Sequence, residues 1–263
     1  MKLILPLLLL IGIALAVPAT AKAETREGTF VLACGFSHFG NHDPIVSPGR
    51  TSAHEHTFTG NTSTNRNSTY QSMIAAGSTC KFSEDTAGYW FPTLFKNGQR
   101  VKPLLSFFYY KNIPVTYKTT TPFPPNFRMV FGGVSSYPSR EFWACFGGSG
   151  KYAAPPICPS NSYVTFRINA PNCWDGWQLD SPDHRSHVVY PVSNACPADH
   201  PVKLPRGNFF VRYPYNSGGP GAVLSDGTTL PHADFWNTWQ QPALVDLVDR
   251  CLHAGINCGQ IKD

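Results

Sequence analysis

"SYVTFRI", residues 162 to 168, alternates Tyr163, Thr165 and Arg167 with Val164, Phe166 and Ile168. Such a period of two puts one set on each face of an extended chain, so the segment reads as a half-buried β-strand. Outward from it, six more runs carry a similar apolar, β-branched or aromatic bias: Thr29–Cys34, Leu104–Tyr110, Val115–Lys118, Arg128–Phe131, His187–Tyr190 and Phe209–Tyr213. The 22 glycines and 24 prolines fall between these runs rather than in one tract, as in a chain that turns often. One helix is expected in "QPALVDLVDRCLHAG", residues 241 to 255. There Pro242 suits a first helical position, Gly255 a stop, and Leu244, Leu247, Val248, Cys251 and Leu252 share a face. The expected architecture is mainly β: a single sandwich-like or barrel-like domain with long loops, disulfides and a short C-terminal helix.

Lys2, an apolar run from Leu3 to Val17 and the small-residue sequence Ala21-Lys22-Ala23 mark residues 1–23 as a signal peptide. The apolar run is about 15 residues, short of the roughly 20 needed to cross a bilayer, so no membrane insertion is expected. Residues 24–263 then form the mature domain, secreted to an extracellular or periplasmic space. All 8 cysteines lie in it without a C-x-x-C pair, which in an oxidising compartment predicts disulfides rather than zinc or redox chemistry. Short separations favour Cys145–Cys158, Cys173–Cys196 and Cys251–Cys258, leaving Cys34 for Cys80. The net charge of +5 loses Lys2 and Lys22 with the signal peptide, and the remaining cations are scattered, which excludes a nucleic-acid partner. A monomer is expected.

Three polar segments carry candidate chemistry. In "TSAHEHTFTGN" (51–61) His54 and His56 are two apart; in an extended chain both point to one face, a usable spacing for metal ligands. "CWDGWQLDSPDHRSHVVYP" (173–191) gathers Trp174, Asp175, Trp177, Asp180, Asp183, His184, Arg185 and His187. Aromatic faces beside carboxylates suit a sugar groove, where rings cover the apolar side of a pyranose and carboxylates bind hydroxyls or move protons. In "LPHADFWNTW" (230–239) His232 and Asp234 repeat the two-residue spacing ahead of Trp236, and Asp234 is placed to orient His232. His38 and His42 are possible additions, whereas His200 and His253 read as bystanders.

Several chemistries are absent. No G-x-S-x-G elbow, H-E-x-x-H or dinucleotide fingerprint occurs, and "GGSGKY" (147–152) fails as a phosphate loop because Cys145 stands at the first glycine and Tyr152 follows Lys151. A copper oxygenase using its own N-terminal histidine is disfavoured, since the expected mature terminus is Glu24.

The blocks "DPIVSPGRTSAHEHTFTGN", "CKFSEDTAGYW", "FRMVFGG", "CWDGWQLDSPDHRSHVVYP", "CPADHPVKLP" and "HADFWNTW" resemble, in order, those of the domain of unknown function 1996 family. The resemblance spans essentially the whole mature chain. Similar members are secreted, some joined to carbohydrate-binding modules, which implies a polysaccharide or cell-wall context. By the resemblance, the family's H-x-H falls on His54 and His56, its D-S-P-D-H-x-S-H on Asp180 to His187, and its H-G-D on His232, Ala233 and Asp234, with Ala233 replacing a glycine.

The leading expectation is a polysaccharide-cleaving hydrolase or lyase with catalytic His54, His56, Asp183, His184, His187, His232 and Asp234. Trp174, Asp175, Trp177, Asp180, Arg128, Arg185 and Trp236 would bind substrate. A divalent metal, zinc or copper, would sit on His54, His56, His187 or His232. The rival is a non-catalytic polysaccharide- or cell-wall-binding protein using the same groups. Asn61-Thr62-Ser63 and Asn67-Ser68-Thr69 are glycosylation acceptors if the source is eukaryotic.

Overall fold

The computed structural model describes residues 27–112, 119–133 and 140–263. The proposed signal peptide and the expected strand Val115–Lys118 lie outside the described residues. The protein is mainly β, with two large sheets stacked as a sandwich and, among the described residues, no closed barrel.

"SYVTFRI" supplies the strand Val164–Asn169 of the six-stranded sheet. It pairs antiparallel with Glu141–Cys145 on one side and Arg206–Arg212 on the other. The sheet continues through Leu105–Lys111 and Thr29–Cys34 to an edge strand, Asn257–Gln260, the one parallel neighbour. The five-stranded sheet runs in the order Phe36–Gly40, His56–Gly60, Gly88–Pro92, His232–Trp236, Arg128–Gly132, antiparallel throughout. Of the expected strands, His187–Tyr190 shrinks to a two-residue strand, Val188–Val189, in a small separate sheet.

Inward-facing aromatics join the layers. Tyr89 stacks on Phe108 with ring centroids 3.7 Å apart, Phe131 meets Phe209 at 4.7 Å, and Phe91 meets Phe166 edge-on at 5.1 Å. Each such buried ring contributes roughly 1.5–3 kcal/mol through removal from water. The opposite, outer face of the five-stranded sheet is also covered. Phe58, Trp90, Val130 and Trp236 pack there with Ile45 and with Met73 of a short helix, Tyr70–Ile74. Because both faces are buried, the strands His56–Gly60 and Gly88–Pro92 are buried at every position.

The C-terminal helix begins at Gln241 and passes at Val248 into a wider π-helical turn ending at His253. Leu244, Leu247, Val248, Cys251 and Leu252 are fully buried, as the sequence pattern requires. Four disulfides form: Cys34–Cys80, Cys145–Cys158, Cys173–Cys196 and Cys251–Cys258. No described helix is long and apolar enough to cross a membrane.

Candidate functional site

Sheet register builds the site. Phe58, Trp90, Asp234 and Val130 form one row across four strands, and one step along the sheet His56 pairs with Pro92 and His232 with Gly132. Since side chains two apart share a face, His56 and His232 rise from the same outer face as Asp234, and His54 enters just before its strand. Glycine is needed at position 132, where φ is +77° and a Cβ would lie 2.8 Å from both the Glu141 carboxylate and the Pro231 carbonyl.

His54, His56 and His232 converge. One ring nitrogen of each lies within 4.8 Å of the others, and ring centroids are 4.3 Å apart for His54 and His56 and 5.1 Å for His54 and His232. His56 is fully buried, and its Nδ1 donates to the carbonyl of His42 at 2.9 Å, which leaves the Nε2 lone pair directed away from that bond. The Nε2 atoms of His54 and His56 are buried without a hydrogen-bond partner, as are both carboxylate oxygens of Asp234. Asp234 Oδ2 lies 4.0 Å from His232 Nε2, and Asp226 Oδ2 is 3.7 Å from His232 Nδ1.

Electrostatics keeps these imidazoles neutral. Burial, reinforced by the neighbouring His54, lowers the pKa of His232 to about 4. Burial lowers His54 as well, and it takes His56 well below the usual histidine value, with His54 and His232 adding to the effect. The Asp234 carboxyl is pushed well above the carboxylate range, first by burial and then by Asp43. Leaving such groups unpaired costs about 1–3 kcal/mol each, so the cluster carries stored cost that a ligand would relieve. Three neutral imidazole nitrogens suit a divalent zinc or copper ion. A second grouping, Cys34, Cys80 and Asp85, is no metal site because both sulfurs are joined in a disulfide.

The segment 173–191 divides. Arg128, Asp180, His184 and Trp236 surround a depression of about 440 Å³ also lined by Tyr70 and Asn126. His184 Nδ1 bonds Asp180 at 2.8 Å, Arg128 approaches the same carboxylate at 3.6 Å, and its guanidinium lies 4.2 Å over Trp236. Asp43 lies near both His54 and His184, which makes the depression and the imidazole cluster neighbours. Arg185 donates to the Gly132 carbonyl at 3.0 Å and adds positive field at His232 and Asp234.

The remaining sequence candidates are not brought to the cluster. His187 pairs its Nδ1 with the Ser181 hydroxyl at 2.8 Å and donates from Nε2 to the Arg128 carbonyl at 2.7 Å, so neither nitrogen is free for a metal. Asp183 closes a turn, accepting from Ser181, from the Arg185 and Ser186 amides and from the Ser186 hydroxyl. Asp175 accepts from the Trp177 and Gln178 amides, Trp174 donates to the Gln178 carbonyl, and Trp177 is 74% exposed, with no ring stacked on it among the described residues. Asn61 is fully buried with its amide bonded to the Met73 and Thr86 carbonyls, which rules out a glycan there in the folded protein.

Two carboxylates at the site had no signal in the sequence. Asp43 comes from "NHDP" and Asp226 from "LSDG", both of which read as turns.

Fold and cluster together define a disulfide-bonded β-sandwich protein carrying a half-buried three-imidazole centre beside an unpartnered carboxylate. The chain belongs to the family described as a domain of unknown function, DUF1996, whose model matches residues 43–239 and so contains every residue of the cluster. No curated protein and no solved structure matches the chain.

Proposed function

We propose that the protein is a secreted, monomeric carbohydrate-active enzyme of one domain, a polysaccharide-cleaving hydrolase or lyase, with its reaction centre at His54, His56, His232 and Asp234. The observation that carries this reading is the convergence of three neutral imidazoles, two with unpartnered Nε2 atoms, beside a buried carboxylate without a hydrogen bond. His54, His56 and His232 would hold a zinc or copper ion, which supplies Lewis acidity at a sugar or water oxygen when bound. Asp234, buried beside His232 and without a hydrogen bond, is suited to give and take a proton at the centre. His56 is oriented for this by the His42 carbonyl, and Arg185 tempers the field around Asp234.

In the neighbouring depression, Arg128, Asp180 and His184 offer donors and acceptors for sugar hydroxyls or a uronate carboxylate, against the indole of Trp236. The four disulfides are compatible with an extracellular protein.

The test is elemental analysis of untagged protein, followed by activity screening of the metal-loaded form on a polysaccharide panel. About one zinc or copper per chain, and cleavage lost in His54→Ala and Asp234→Asn, is the expected result. Absence of bound metal after loading would remove the metal from the reading, and binding without product on every substrate would favour a non-catalytic binding protein instead.

A further inference from the structure

The outer face of the six-stranded sheet, on the far side of the sandwich from the imidazole cluster, carries an unusual set of side chains. Across adjacent strands Phe142, Arg167, Phe210 and Phe107 form one row, and Arg212 stands in the next row opposite Thr165. Phe142, Arg167 and Phe210 border a groove of about 600 Å³ whose walls also include Lys111, Lys151 and Phe146, and Arg212 adjoins it by lying over Phe146.

Each arginine lies on aromatic rings. Arg212 sits 3.6 Å over Phe146 and 5.3 Å over Phe107, while Arg167 sits 4.7 Å over Phe210; Lys151 lies 4.8 Å over Phe142. Stacking restrains the guanidinium groups, and the Nε atoms of Arg167 and Arg212 have no hydrogen-bond partner among the described residues. Among the described residues, Glu27 is the one acid ion-paired on this face, and it is matched to Lys111 and Arg206 at its margin. No described carboxylate is within ion-pair range of Lys151, Arg167 or Arg212. Desolvation lowers the pKa of Arg167, a cost that a bound anion would offset.

We propose that this face is a second carbohydrate-binding surface, specific for acidic polysaccharides bearing carboxylate or sulfate groups. Restrained guanidinium edges fit planar carboxylates and sulfate oxygens in bidentate fashion. The aromatic rings already carry cations, so they offer little open platform for stacking nucleic-acid bases, and a disulfide-bonded protein belongs to a compartment where acidic glycans are the accessible polyanions. The choice of a glycan rests on the reading of the protein as carbohydrate-active; the charge and geometry of the face do not depend on the metal centre.

Affinity electrophoresis of the full mature protein tests this, with polygalacturonate as the carboxylate probe, dextran sulfate as the sulfate probe and dextran as the neutral control. Retardation by one or both polyanions, none by dextran, and weakening as salt rises are expected. The double variant Arg167→Gln, Arg212→Gln should weaken binding tenfold or more, Arg167→Lys with Arg212→Lys should weaken it less, and His54→Ala should leave it unchanged. Circular dichroism and intact disulfides verify that each variant folds. Binding unchanged in the double glutamine variant, no binding to either polyanion, or tighter binding to anionic phospholipid vesicles or single-stranded DNA would overturn the proposal. Loss of binding in His54→Ala alone would place the glycan at the imidazole cluster, and polyanion binding with no metal and no cleavage would leave this face standing while removing the enzymatic reading.

Discussion

The Nδ1 of His56 donates to the carbonyl oxygen of His42 at 2.9 Å, and that one bond fixes which nitrogen of the buried imidazole carries the proton. With Nδ1 protonated, Nε2 presents a lone pair beside His54 and His232. The three side chains are therefore expected to act as one ligand set. His54→Ala, His56→Ala and His232→Ala should each reduce metal affinity at least tenfold, whereas His187→Ala, which removes an imidazole already bonded at both nitrogens, should keep full metal occupancy. Equilibrium dialysis against zinc and copper with elemental detection checks the set; equal loss in His187→Ala would contradict the geometry.

A metal bound only by the folded protein stabilises it by mass action. At a free-ion concentration about 100-fold above Kd the gain is about 2.7 kcal/mol. For a domain of this size each kcal/mol moves the Tm by about 2–4 °C, so chelation should lower it by roughly 5–10 °C. Thermal unfolding with and without a chelator measures this. The His54→Ala variant should show no such difference.

Much of the sandwich was legible in the sequence because its six-stranded sheet has one face partly open to solvent. "SYVTFRI" alternates in sequence, and the run ending at Tyr110, apolar and aromatic almost throughout, alternates in burial. "HTFTG" and "GYWFP" are not among the expected strands: both are buried on both faces, so burial does not sort their residues into a polar and an apolar set. The three histidines were visible as candidates, but their convergence depends on Gly88–Pro92 lying between His56–Gly60 and His232–Trp236, a pairing no local pattern announces. "SPDHRSH" looked richest in chemistry because the polar groups that close a tight turn are of the same kind as those of an active site; there Asp183, Ser181 and Ser186 bond mainly to one another and to the backbone.

Asp234 should separate catalysis from stability. It has no hydrogen bond to lose, and in the metal-free state its burial is a cost. Asp234→Asn is expected to lower turnover of a cleaved polysaccharide by about 100-fold or more, the scale of general acid–base catalysis. In the presence of chelator, Asp234→Ala should change unfolding free energy by less than about 1 kcal/mol, against about 1–3 kcal/mol when a bonded buried polar group is cut. Urea denaturation decides the second point, and a large destabilisation would show that the carboxylate supports the fold.

Asp183 should behave in the opposite way. Its four accepted hydrogen bonds resemble those of a helix or turn cap, and they hold its carboxyl well below the usual carboxylate range, with the Ser181 hydroxyl the largest cause. Asp183→Ala is expected to cost about 1 kcal/mol, typical of a lost cap, while leaving metal content unchanged. Because the folded-state pKa is depressed, the contribution is present above the ordinary aspartate pKa and fades as pH falls through and below it. Wild type and variant should therefore converge in stability toward strongly acidic pH, which denaturant titration at pH 6 and pH 3 would show.

Asp85 lies in the interior beneath the Cys34–Cys80 disulfide, where it accepts from the Tyr89 hydroxyl at 3.0 Å; that hydroxyl is 2.7 Å from the one on Tyr110, which accepts from the Trp239 indole at 3.2 Å. Burial raises its pKa from 3.8 to about 8, against weaker opposition from the Ala87 amide and Tyr89. Between those two values the folded chain holds a proton that the unfolded chain has released. The sign follows: stability is greatest near pH 4 and falls as pH rises toward 8, by at most about 1.4 kcal/mol per unit from this group. Asp85→Asn keeps a carbonyl to accept from Tyr89 and Ala87 but cannot ionise, so its stability should stay flatter over the same window and exceed that of the wild type at pH 8. Urea unfolding at pH 5 and pH 8 distinguishes the cases, and an equal pH slope in the two proteins would assign the dependence to another group.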